Sequence, residues 1–181
     1  MSADELQDLQ EGAEHGAHNP SMAPVSLTMA ILAVLVAVVA LLGHRSHTEE
    51  GVLQTKANDQ WAYYQAKDIR LHMDKALADL EGFVATTDAP KAEQAREANL
   101  AEAEKYAKQT HDLQEQAQEL ERDAKLESRR ADRYDLGEVF LEIALVVTSI
   151  TLLSQRRTFW YAGVVLGIVG VIVAVTGRLV R

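Results

Sequence analysis

Polar and apolar positions in this chain are segregated into long blocks before they alternate on any finer scale. Residues Val25 to Gly43 carry no charged side chain, Thr158 to Gly177 carry none, and Leu136 to Gln155 carry only Glu138 and Glu142. Each block is 19 or 20 residues long, close to the roughly 20 that carry a helix across a hydrocarbon core of about 30 Å. Three transmembrane helices are expected, over residues 25–43, 136–155 and 158–177.

Between the first two blocks runs a polar segment, His44 to Gly137, whose apolar residues recur at helical spacing. From Leu53 they fall at Ala57, Trp61, Tyr64, Ile69, Met73, Ala76, Leu80 and Phe83, mostly three or four apart, which predicts a single apolar helix face. Farther on, Asn99, Ala103, Tyr106, Thr110, Leu113, Ala117, Leu120, Ala124, Glu127, Ala131 and Tyr134 step by four and three in strict alternation. That is a heptad seam with small and polar members, weak as an isolated coil and suited to packing against a neighbour.

Prolines stand only at Pro20, Pro24 and Pro90, so Val25 to Ala89 and Lys91 to Arg181 lack the strongest helix breaker. The break in the polar segment falls at Gly82 to Pro90, where Thr86, Thr87 and Asp88 offer capping oxygens and Pro90 suits the first turn of a new helix. The expected fold is all-α: three transmembrane helices, with a long antiparallel helical hairpin over residues 44–137 between the first and second. At 1.5 Å per residue the ascending arm, 44–83, is roughly 60 Å long and the descending arm, 89–137, roughly 70 Å, so the chain returns to the membrane. With no breaker but Gly43 at the junction, the first membrane helix is expected to continue into the ascending arm.

Residues 1–24 carry five acids, no Lys or Arg, and Gly12, Gly16, Asn19 and Pro20, a composition expected to form a disordered acidic tail. A cleaved signal peptide would begin positively charged and end in small residues; this start is negative and Gly43 leads into His44-Arg45-Ser46-His47, so an uncleaved anchor is expected. The net charge of −9, from 27 acidic against 18 basic residues, removes a phosphate-tracking nucleic-acid surface from consideration. Absence of cysteine removes disulfides, thiolate metal sites and cysteine nucleophiles.

Chemistry-bearing residues are sparse. His44 and His47 are three apart with Glu50 one turn on, and His15 and His18 repeat the interval in the tail. No third ligand is fixed by spacing, so they read as solvated polar residues and no metal or cofactor is assigned. Glu138 and Glu142 are four apart near one end of the second apolar block. An ionisable group there is a functional hypothesis, an ion or proton relay, whose bland counterpart is a pair reaching for the headgroups or for Arg133 or Arg178. Trp61, Tyr63 and Tyr64 form the densest aromatic cluster, roughly 27 Å along a helix beyond Gly43 and so past any interfacial belt; they are expected to fill a seam within the hairpin or against a neighbour. In the third block Gly163, Gly167, Gly170 and Ala174 make a small-residue stripe that serves helix association, either within the chain or between chains. Phe159, Trp160 and Tyr161 follow Arg156-Arg157 and suit an interface. No nucleophile elbow, Walker loop, dinucleotide fingerprint or zinc-hydrolase motif is present, and no enzyme is expected.

The segment from Gln54 through Asp59-Gln60-Trp61-Ala62-Tyr63-Tyr64-Gln65-Ala66-Lys67 and the closing hairpin from Leu136 through Ser154-Gln155-Arg156-Arg157 to Gly170 resemble a bacterial family of small membrane proteins, domain of unknown function 4337. The likeness covers most of the chain after the tail. It implies one leading membrane helix, a polar helical middle, two closing membrane helices joined by a short basic loop, and a bacterial source. It carries no activity and no catalytic residue.

With three spans, the tail and the Arg156-Arg157 loop share one side, the hairpin and Arg178 to Arg181 the other. The short segments tie at two basic residues each; Arg45, Arg129, Arg130 and Arg133 beside the membrane favour a cytoplasmic hairpin, whereas the resemblance, with its basic short loop, implies an outward one. The function these readings support is a non-enzymatic scaffold or accessory subunit of the bacterial inner membrane. It would have the lipid bilayer as one partner and either further copies of itself or a larger membrane complex as the other. The alternative is an accessory ion or proton transport component using Glu142.

Overall fold

The computed structural model describes residues 22–83 and 89–180; residues 1–21, which hold most of the expected acidic tail, residues 84–88 within the expected break, and residue 181 lie outside it. Among the described residues three helices follow in order: α1, Ala23–Phe83; α2, Ala89–Ser154; and α3, Arg157–Leu179. Among the described residues no strand occurs, and each helix contains a span long and apolar enough to cross a membrane. α1 starts with Pro24 in its first turn, where a missing N–H removes no helical bond. It passes Gly43 without interruption, and α2 passes Gly137 in the same way.

Packing divides the chain into two units: residues up to Glu49 together with those from Leu126, and residues Glu50 to Lys125. The first is a three-helix apolar unit. Met29, Leu32, Val36 and Val39 of α1 pack with Leu141, Ala144 and Leu145 of α2 and Ala174 of α3. α3 meets α2 backbone to backbone. A Cβ placed on Gly170 would lie 2.9 Å from Leu141 Cγ and 3.0 Å from the Gly137 carbonyl oxygen, and one on Gly137 would lie 2.8 Å from Ala174 Cβ. Lipid supplies no hydrophobic force between helices, so this close approach and its van der Waals contact take that role. At the other end Trp160 Nε1 donates to Thr28 Oγ1 over 3.0 Å, tying α3 to α1.

The second unit is the polar hairpin. On α2, Ala103, Thr110, Ala117 and Ala124 are buried, and Asn99, Tyr106, Leu113 and Leu120 between them are half-buried, as the heptad spacing predicts. Polar side chains cross the seam: Gln60 donates to Gln116, Trp61 Nε1 to Glu121 Oε1 over 2.8 Å, and Asn99 Nδ2 to Glu81 Oε2 over 3.1 Å. The Lys67 ammonium sits 4.9 Å from the centre of the Tyr106 ring, within cation–π range.

The face predicted on α1 does not hold together. Leu53, Ala57, Trp61 and Tyr64 do face α2, but Ile69, Met73, Ala76, Leu80 and Phe83 are exposed. The seam continues instead through Lys67, Leu71, Asp74, Ala78 and Glu81. Period decides this. A helix without Gly or Pro from Val52 to Glu81 cannot rotate by the two positions, about 200°, needed to swing Ile69 onto the seam.

Candidate functional site

The residues left out of the hairpin form a second seam. Ala62, Ala66, Ile69, Met73, Ala76, Leu80 and Phe83 alternate four and three in strict order, all apolar and all exposed. Ile69 keeps 67% of its surface in the open and Phe83 87%. Tyr63, Arg70 and Leu77 flank the stripe on one side, Gln65, His72 and Asp79 on the other. That is a heptad with apolar a and d positions and a lightly charged margin, the surface a second helix meets knobs into holes. The sequence held one signal of it, the gap of five between Tyr64 and Ile69 where steps of three and four were expected. Ala62 and Ala66, absent from the face expected on α1, open the second stripe.

The aromatic cluster sits where the two seams part. Trp61 and Tyr64 are half-buried toward α2, with ring centres 5.4 Å apart and planes at 86°, the edge-to-face arrangement that aromatic quadrupoles favour. Tyr63 is rotated about 100° from Tyr64 and is exposed beside the second seam.

The glycine stripe is occupied from within the chain. Gly163, Gly167 and Gly170 are buried: Gly163 lies on Ala144 and Thr148, Gly167 on Leu32 and Ala144, and Gly170 on Leu141 and Gly137. This face is therefore spent on folding the apolar unit. Glu138 and Glu142 are half-buried, and among the described residues neither has an ion-pair partner, so the suggested pairing with Arg133 or Arg178 does not occur. His44 is exposed, and His47 Nε2 lies 2.9 Å from Asp135 Oδ2. No group of three or more His, Asp or Glu side chains able to hold a metal is found among the described residues. His15 and His18 lie outside them.

No curated protein and no solved structure matches this chain. A family model does, across residues 21–180, which takes in every described helix. The chain belongs to that family, whose description is domain of unknown function (DUF4337).

Proposed function

We propose that this protein is a non-enzymatic integral scaffold of the bacterial cytoplasmic membrane that assembles with further copies of itself, or with a larger membrane complex, through its polar hairpin. The observation that carries this reading is the exposed stripe from Ala62 to Phe83. Exposed leucines or valines on the apolar unit have lipid to cover them. Ile69, Met73, Leu80 and Phe83 belong to the polar unit and have only water.

Each of those four side chains gains about 1.5–3 kcal/mol on full burial. Summed over a pair of helices, the gross gain is of the same order as the roughly 4–15 kcal/mol that association costs. Confinement of both copies to one bilayer lowers that cost by raising their effective concentration. Copies inserted the same way present α1 in the same direction, so the pairing is parallel, with Ile69 against Ile69 and Leu80 against Leu80.

The test is molar mass in mild detergent by light scattering, alongside crosslinking in native membranes. More than one chain per particle is expected, and Ile69→Glu with Leu80→Glu is expected to halve the mass. A monomeric wild type that also crosslinks to nothing in its membrane ends this reading. The transport alternative rests on Glu142 alone; proton or ion flux in proteoliposomes that disappears in Glu142→Gln would favour it over the scaffold.

A further inference from the structure

Beyond the hairpin, a cavity of about 420 Å³ opens where the three apolar spans end, lined by Leu42, Arg45, Ser46 and Glu49 of α1, Glu127, Arg130 and Tyr134 of α2, and Arg178 of α3. Its level along the helices is set by sequence. Arg45 comes two residues after the first apolar block closes at Gly43, Arg178 one residue after the third closes at Gly177, and Tyr134 two residues before the second opens at Leu136. Leu42 belongs to the apolar layer and the arginines stand just beyond it, the depth of lipid phosphates.

The charges there are only partly used. Arg130 Nη1 is paired with Glu127, and its Nη2 makes one long hydrogen bond of 3.4 Å to the Val180 carbonyl. Its Nε is buried and meets no acceptor. Pairing with Glu127 thus leaves this guanidinium one donor unsatisfied, and a buried donor without an acceptor is costly, which favours a further acceptor there. Arg45 and Arg178 have no carboxylate within ion-pair distance among the described residues. Against these three cations stand Glu127, already taken, and Glu49, which is exposed. The Ser46 hydroxyl adds a donor on the same wall. Guanidinium groups match phosphate oxygens bidentately, and basic pockets between membrane helices at headgroup depth select anionic lipids.

We infer that this cavity binds the phosphate of an anionic phospholipid headgroup through Arg45, Arg130 and Arg178. The inference rests on the membrane reading of the apolar spans and not on self-association, since one chain supplies the whole site.

The full chain, exchanged into detergent and delipidated, is titrated with phosphatidylglycerol, phosphatidylcholine and inorganic phosphate while bound lipid is counted by native mass spectrometry and melting is followed by circular dichroism. Preferential retention of phosphatidylglycerol is expected, and Arg45→Gln with Arg178→Gln is expected to weaken it about tenfold or more, each surface arginine being worth roughly fivefold. Arg156→Gln with Arg157→Gln, at the opposite ends of the spans, is expected to leave the preference intact. Arg45→Lys with Arg178→Lys keeps the charge and is expected to recover part of it, which separates lost binding from lost folding. Equal retention of the two lipids, or a preference untouched by Arg45→Gln with Arg178→Gln, overturns the inference. So does equal weakening by the Arg156 and Arg157 pair, which would signal general attraction. A melting shift from inorganic phosphate as large as that from phosphatidylglycerol would assign the site to free phosphate instead.

Discussion

The apolar unit and the polar hairpin solve the same problem with opposite surfaces. In each, helices meet along small residues at helical spacing: Gly163, Gly167, Gly170 and Ala174 in one, Ala103, Thr110, Ala117 and Ala124 in the other. In the apolar unit the contact is backbone on backbone, and in the hairpin it is supplemented by Trp61 to Glu121, Asn99 to Glu81 and Lys67 over Tyr106. Polar contacts across a wet seam are worth little each, so the hairpin depends on its heptad register more than on any single bond. The outward faces differ in consequence. Val34 and Ile172 stand exposed on the apolar unit just as Ile69 and Leu80 stand exposed on the hairpin. Only the first pair lies in a segment that lipid would cover. The same side chain is thus ordinary in one unit and an unfilled position in the other.

The largest expected effect breaks the apolar side of that comparison. Gly170→Leu places a branched side chain where even a Cβ would come within 3.0 Å of the Gly137 carbonyl oxygen. A loss of about 3 kcal/mol is expected, seen as a lower melting temperature in detergent, whereas Gly51→Leu, with nothing within 4 Å of its Cβ, is expected to cost little.

Next comes the hairpin's inner seam. Trp61→Ala removes the edge-to-face contact with Tyr64 and the bond to Glu121. Because Trp61 is half-buried, about 2 kcal/mol is expected in place of the 3–5 of a fully buried ring. Tyr63→Ala is expected to leave the melt within about 0.5 kcal/mol and to reduce crosslinking between copies. Equal losses of stability would mean that the three rings form a single packed cluster and that Tyr63 has no outward role.

The order in which these features became legible follows their physics. The three spans, the hairpin and the α2 seam were plain in the sequence because long charge-free runs and strict four-three steps leave few alternatives. The face expected on α1 departs from the observed seam between Tyr64 and Ile69 because an apolar residue reads alike whether it meets a partner in the same chain or lies on an outer surface. Lys67, Asp74 and Glu81 hid the true seam, since their charges mask aliphatic stems that lie along a neighbouring helix. The arginine cavity was invisible for another reason. Arg45, Arg130 and Arg178 are far apart in sequence and meet only once the three helices pack.

A small effect of opposite sign sharpens the junction between α2 and α3. Gln155 adopts a positive φ of 53° at the end of α2, a conformation that glycine takes without a Cβ penalty. Gln155→Gly is expected to raise stability by up to about 1 kcal/mol, and a loss on the same melting curve would mean that the turn depends on the glutamine side chain.

The second seam is tested most directly by disulfide formation, because the chain has no cysteine of its own and a single introduced one reports only on its own surroundings. Ile69→Cys and Leu80→Cys lie on the exposed stripe; Lys75→Cys is equally exposed but turned roughly 130° from its centre. Oxidised in membranes, the first two are expected to run as disulfide-linked dimers and the third as a monomer. Comparable crosslinking at Ile69→Cys and Lys75→Cys, or none at Ile69→Cys and Leu80→Cys, would contradict the account that the face from Ala62 to Phe83 is where copies of this chain meet.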